Sequence, residues 1–462
     1  MPRSNPPSRF DRAITRRSLL GAAAGGAALL ATRGLPAWAK PIAHSAGLRQ
    51  PDSLPFPGKP AGSPSMPEIE HIVVLMMENH SFDNLLGMVP HQVPGRRSVD
   101  GWRFQGGRPV NFNLDASGNK VIATHGSSPC QLSGAPSQSW NASHESWDNG
   151  LGDGFVKASG PVAMRFWDKT DIPFTYSLVE HFPIGERYFC SVLGQTFPNR
   201  SYLFAATSQG TINDTIAPTA PANGTIWDRL DAHNISWGIY YEPPSYPSFE
   251  LVPGSYTPAR QATRLHTFNQ FLSDVAAGRL KQFTFLDPNY GTTSEENPQD
   301  IQVGERYIAQ VVNALMNAKT WKNTVLIINY DEHGGYYDHV PPPPALAPDS
   351  IPPILTATDV PGAFDRYGFR VPLIVVSPWA RRGYVSRVVQ DHTSVLAFIE
   401  RKWNLPAMTL RDANAQPMTD YFNFRHAAFA TPPRLAPAPK LGPGLAKCHA
   451  AGLNPPLTGG GS

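Results

Sequence analysis

This chain is poor in several things, and each scarcity removes a class of protein. It has only three cysteines, Cys130, Cys190 and Cys448, in 462 residues. The odd number prevents a complete disulfide framework, and no CxxC pair marks a zinc or thiol-redox site. An exported chain could still pair two of them. Cys190, inside Arg187-Tyr188-Phe189-Cys190-Ser191, reads as a buried free thiol. Charge of one sign is nearly absent: 39 Lys and Arg face 36 Asp and Glu, a net charge of +3. The basic residues are scattered, so no nucleic-acid partner is expected. Beyond the N-terminal segment no run reaches the roughly 20 apolar residues of a membrane span, and there is no internal repeat. Proline (48) and glycine (39) are abundant instead, which predicts long irregular loops around a regular core.

Residues 1–39 read as an export signal. Thr15-Arg16-Arg17-Ser18-Leu19-Leu20 is a twin-arginine pattern, residues 21–31 are apolar and small, and Ala37-Trp38-Ala39 offers a small-x-small cleavage site. The expectation is a periplasmic or secreted protein handled by the twin-arginine (Tat) export machinery. Residues 40–66 are rich in Pro, Ser and Gly and read as a linker or surface arm. Residues 67–426 carry the regular patterns. Residues 427–462, rich in Pro, Ala and Gly, read as a tail wrapped over the surface or disordered.

The unbroken apolar run at residues 72–77 and the largely apolar runs at 237–241, 282–286, 324–330 and 371–376 have the length and composition of buried strands. Amphipathic stretches at 171–182, 268–277, 303–318 and 394–403 predict helices between them. This alternation predicts an α/β fold: a doubly wound, mostly parallel sheet with helices on both faces. Residues 90–135, short and turn-rich, predict a small β excursion.

Polar residues collect where apolar runs end, the edge at which open α/β sheets bind ligands. The first strand runs into Glu78-Asn79-His80-Ser81-Phe82-Asp83. Glu78 and Asn79 offer oxygen donors suited to hard divalent cations, or one of Asn79 and Ser81 simply caps the next helix. A later strand runs into Asp331-Glu332-His333-Gly334-Gly335-Tyr336-Tyr337-Asp338-His339, five titratable groups in nine residues. Adjacent carboxylates repel unless a cation or proton lies between them. A third cluster is Leu193-Gly194-Gln195-Thr196-Phe197-Pro198-Asn199-Arg200, in which the Thr196 hydroxyl is either a cap or a nucleophile. His144 lies in Ser143-His144-Glu145-Ser146-Trp147, and His392 follows Asp391 at a helix start. A hydroxyl nucleophile, oxygen-rich metal ligands and histidines together suit phosphoryl or sulfuryl transfer.

These blocks, with Asp338-His339-Val340 and Asp391-His392-Thr393-Ser394, resemble in order the signature segments of the bacterial phospholipase C and acid phosphatase family, over residues 68–424. The resemblance implies an alkaline-phosphatase-like fold and a metal-dependent phosphoesterase. It implies that Glu78, Asn79, Asp331, Glu332 and Thr196 hold one divalent ion (Ca, Mg, Mn or Zn). It also implies that Thr196 attacks phosphorus, and that His144, His333 and His339 contact phosphate or move protons. The chain departs from the family at His80, where relatives often have Arg. It also departs at Ser137-Gln138-Ser139-Trp140 and at Asn297-Pro298, where relatives often carry histidine. The expected substrate is a phospholipid of the phosphatidylcholine type, cleaved to diacylglycerol and a phosphorylated head group, with transient contact to a membrane surface. A broad acid phosphatase acting on monoesters, and a non-catalytic binding protein on the same fold, are the alternatives. Trp147, Phe166, Trp167, Tyr336 and Tyr337 are either a lipid mouth or core.

Overall fold

The computed structural model describes residues 47–131 and 136–440. The expected export signal (1–39) and Cys448 lie outside the described residues. The apolar runs become strands: β1 His71–Met77, β2 Ile184–Gly185, β3 Trp237–Tyr241, β4 Leu265–Thr267, β5 Phe283–Asp287, β6 Thr324–Tyr330, β7 Leu373–Val376 and β8 Val385–Ser386. They form one eight-stranded sheet in the order β4-β3-β5-β1-β6-β7-β2-β8. β1 lies between β5 and β6 and is parallel to both. β7 alone runs against its neighbours. Every residue of β6, and every residue of β1 after His71, is buried. A strand buried on both sides needs cover on both faces, which is the doubly wound arrangement the sequence predicts.

Six helices matter for the site: α1 Phe82–Leu86, α2 Trp140–Trp147, α3 Pro173–His181, α4 Thr196–Ala205, α5 Ile301–Met316 and α6 His392–Trp403. α5 buries Ile308, Val311, Val312 and Leu315, the face expected from its periodicity. α6 starts two residues before the predicted start because Asp391 and Ser394 form a reciprocal cap on its first turn. The β excursion consists of short ribbons pairing Phe104–Gln105 with Arg108–Pro109 and Phe112–Leu114 with Lys120–Ile122.

The described part of the Pro/Ser-rich segment is an arm fixed to the body. Asn404 Oδ1 accepts from the Phe56 amide at 2.9 Å, and the Lys402 ammonium donates to the Ser65 carbonyl at 2.6 Å. Residues 427–440 lie against the body: Phe429 is fully buried and its carbonyl accepts from the Trp321 indole. Cys130 is disulfide-bonded, and Cys190 is a buried free thiol.

Candidate active site

Register places the first two polar clusters side by side. Met77 of β1 pairs with Tyr330 of β6, so Glu78 and Asp331 leave adjacent parallel strands at the same edge. Asp287 ends β5 on the other side of β1, with Leu286 opposite Leu75. The chain then turns sharply. Asn79 has φ +62°, a left-handed conformation that Asn tolerates better than most residues. Its backbone amide donates to Asp331 Oδ1 at 3.2 Å. Gly334, at φ +64°, lies so close that a Cβ would sit 1.9 Å from the Asn79 carbonyl oxygen. The Gly-Gly pair is therefore required by close backbone approach.

The third cluster joins through a helix. It does not follow directly on a strand, as the sequence suggested; irregular chain separates β2 from Thr196. Thr196 is the first residue of α4, and Arg200, four positions on, shares its face. The Arg200 guanidinium donates to Glu78 Oε1 at 3.0 Å, Asp331 Oδ2 at 3.2 Å and Asp287 Oδ1 at 3.3 Å, all of them buried. Asn199 pins the approach to the helix. Its side-chain oxygen accepts from the amides of Ser191 and Val192, and its amide donates to the Gly194 and Gln195 carbonyls. Asp214 Oδ1 accepts from the Phe197 amide at the helix start.

This buried centre has more negative groups than Arg200 can balance. Glu332 is fully buried, with Oε1 unpartnered, and Asn79 Oδ1 is likewise unpartnered. Burial, then the neighbouring Glu296, raises the Glu78 pKa well above the ordinary carboxylate range. Burial and Asp331 do the same to Glu332. Glu296, half-buried and hydrogen-bonded to Glu78, is pushed up to about 7, chiefly by burial. Two orphaned oxygens among crowded carboxylates are the environment a hard cation requires.

Comparison with known proteins gives the family. The model of the Phosphoesterase family matches residues 69–406. The chain belongs to the Phosphoesterase family. Phospholipase C B of Mycobacterium tuberculosis is 30% identical over 437 residues, covering 81% of this chain and 82% of that protein. Non-specific phospholipase C6 of Arabidopsis thaliana is 31% identical over 397 residues, covering 76% and 72%. Among solved structures, a protein in the alkaline phosphatase superfamily from Vibrio parahaemolyticus aligns with TM-score 0.37 and 8% identity, covering 82% of this chain and 76% of that one. The chain is thus a phosphoesterase, a hydrolase of phosphate-ester bonds.

The phosphoesterase distributes its candidate histidines unequally. His333, 1% exposed, has Nδ1 3.3 Å from Glu332 Oε2. Burial among aromatic rings lowers its pKa to about 3, so it is neutral at pH 7. His144 stacks on Trp140, its Nδ1 bonded to the Trp140 carbonyl at 2.7 Å. It lines a cavity of about 300 Å³ with Trp140, Trp147, Leu193 and Arg366. His339 is engaged elsewhere: Nδ1 meets Asp83 Oδ2 at 2.6 Å and Nε2 meets Asp100 Oδ1 at 2.9 Å. Its two ring nitrogens are thus committed to a carboxylate cluster that also binds Arg370 through Asp83 and Asp338. His392 Nε2 meets the Tyr330 carbonyl at 3.0 Å and steadies the end of β6. His80, fully buried and stacked on Tyr336, bonds Asn84 and the Glu295 carbonyl, and burial lowers its pKa to about 4.

Two clusters among the described residues bring three acidic or imidazole ligand atoms within 4.8 Å of one another: Asp83, Asp338 and His339, and His125, Asp168 and Asp171. These groups could hold a metal. Glu78, Asp331 and Glu332 are not one of these clusters; Glu78 and Asp331 both bond the Arg200 guanidinium. In the first cluster the Arg370 guanidinium already bonds Asp83 and Asp338.

The His339 network sets a pH dependence. Despite burial, Asp83 and Asp100 raise the His339 pKa from 6.5 to about 9. A raised pKa adds stability that is present in full below the unfolded value and is lost as pH rises through the folded one. Stability should therefore fall between pH 6.5 and 9, by an amount on the order of 3 kcal/mol. His339→Gln should flatten that slope in thermal melts recorded across the window. A slope unchanged by the substitution would remove His339 as its source.

Sequence reasoning missed Arg200, Asp287 and Glu296. Asp287 carried the same signal as Glu78, an acid closing an apolar strand. Arg200 was legible only as the position four residues beyond Thr196. The aromatics Phe166, Trp167, Tyr336 and Tyr337 are core, each less than 9% exposed, and do not form a lipid mouth. Only Trp147 borders the cavity.

Proposed function

We propose that this phosphoesterase is a metal-dependent phospholipase C that works through a threonine phospho-enzyme. The observation that carries the reading is the convergence at one sheet edge. The helix that begins at Thr196 reaches Glu78 and Asp331 through Arg200, beside the unpartnered oxygens of Asn79 and Glu332. The resemblance to phospholipases C at about 30% identity supports the substrate class.

Glu78, Asn79, Asp331, Glu332 and the Thr196 hydroxyl would hold a divalent cation, Ca, Mg, Mn or Zn by donor type. Such an ion stabilises charge on a phosphate and lowers the pKa of a hydroxyl. The Thr196 oxygen attacks phosphorus and the bond to the diacylglycerol oxygen breaks. The proton leaving Thr196 is balanced by one delivered to that alkoxide, and water then releases the phosphorylated head group. Arg200 and Asn199 orient α4. His144 opens on the cavity, and burial lowers its pKa, so its neutral ring can take up a proton and return it.

The test compares p-nitrophenyl phosphorylcholine with p-nitrophenyl phosphate, before and after chelation and after each cation is restored. Faster cleavage of the diester, lost with chelator and recovered with one cation, is the expected result. Preference for the monoester would favour the acid phosphatase reading. Activity indifferent to chelation would remove the metal.

A further inference from the structure

Phe166, Trp167, Tyr336 and Tyr337 are buried and Tyr246, 43% exposed, stands against Phe197, whereas four large aliphatic side chains are exposed together on one loop beside the cavity. Ile351, Ile354, Leu355 and Val360 are 40, 53, 37 and 40% exposed. The loop is closed at its base, where the Ala345 amide donates to the Asp365 carbonyl at 2.7 Å. It is held to α2 by the Trp140 indole on the Val360 carbonyl, at 2.8 Å, and by Asn141, which bonds both Thr358 and Val360. On its other side the Ile354 amide donates to Gly210. Four residues beyond Gly210, Asp214 binds the start of α4, and Ile216, two residues further on, is 59% exposed.

We infer that this loop, with Ile216, inserts into the interfacial layer of a phospholipid bilayer and seats the mouth of the His144 cavity on the membrane. The inference rests on the phospholipase reading and extends it to how the substrate is reached. Three observations select a lipid surface as the occupant. The tip, residues 350–358 (Ser-Ile-Pro-Pro-Ile-Leu-Thr-Ala-Thr), has no charged residue, which matches a neutral, zwitterionic interface rather than an acidic or basic protein. The flanking acids turn back onto the loop's own backbone: Asp349 accepts from the Ile351 amide and Asp359 from the Thr356 amide. Pro352 and Pro353 lack N–H donors, so the tip offers a poor edge for strand pairing with another chain. The patch is also continuous with the cavity, since Pro361, Gly362 and Ala363 at the end of the loop line it beside His144.

The test is the double variant Ile354→Glu, Leu355→Glu, compared with the parent protein by flotation on phosphatidylcholine vesicles and by turnover. Vesicle binding and hydrolysis of vesicle lipid should fall at least tenfold, while the rate on soluble p-nitrophenyl phosphorylcholine stays within twofold. A Leu355→Trp variant should shift its emission to the blue on mixing with the same vesicles. Equal vesicle binding by parent and double variant overturns the inference. So does a parent dimer that the substitutions convert to monomer with vesicle binding intact, which would make the patch a contact between two copies. A parent inactive on the soluble diester but still bound to vesicles through the loop would sink the phospholipase reading and leave the lipid surface standing.

Discussion

Thr196→Ala should reduce turnover of every phosphate ester by about three orders of magnitude or more, the scale of losing a covalent nucleophile. The fold should be untouched. Thr196 is the first residue of α4, not its cap, and the cap position, Gln195, makes no side-chain capping bond. The helix start is held instead by Asp214 on the Phe197 amide and by Asn199 on the preceding loop. Circular dichroism and the unfolding midpoint should therefore match the parent while the rate collapses. Mass spectrometry of the parent, quenched during turnover, should find the added phosphoryl group on Thr196. Retained activity in the alanine variant would refute the nucleophile assignment, whatever else the protein hydrolyses.

Arg200→Met should be the most destabilising single change at the site. It keeps an unbranched apolar stem but removes the cation that meets Glu78, Asp331 and Asp287, all within 2% exposure. Breaking a buried ion pair from one side costs about 3–5 kcal/mol, because the stranded charge has no water to turn to. A loss of that size lowers the midpoint of a chain this long by roughly 5 °C. The penalty should depend on pH. Burial already raises Glu78 and Asp287, and losing Arg200 removes a charge that lowers both, so the cost grows as pH rises above their raised folded pKa values and fades below them. If the same oxygens hold a divalent cation, adding that cation at pH 7 should recover part of the lost stability. A variant as stable as the parent at pH 7 would show that Arg200 does not hold the three acids together.

Much of this site was legible because its signals are local. A buried parallel strand reads as an unbroken apolar run, so the arrival of Glu78 after Met77, or of Asp331 after Tyr330, stands out without any structure. Gly334 and Gly335 likewise announce close backbone approach, here against the Asn79 carbonyl and the segment at Pro136 and Ser137. The histidines were harder. His144, His333 and His339 look alike in sequence, yet one opens on a cavity, one is buried neutral beside Glu332 and one is held between two carboxylates. For His339 the partners, Asp83 and Asp100, lie more than two hundred residues away. The aromatics misled for a related reason: Tyr336 and Trp167 pack against His80, a contact no local pattern encodes.

By itself, then, the sequence determined where the sheet's central strands lie and which polar residues close them, because burial and periodicity are properties of short segments. Tertiary structure decided which of those residues meet. Strand register set Met77 against Tyr330 and so paired Glu78 with Asp331. The phase of one helix turn carried Arg200 from Thr196 to both of them. It also decided that the loop around Ile354 and Leu355 would stay exposed beside the cavity, since exposure depends on which side chains the folded core leaves uncovered.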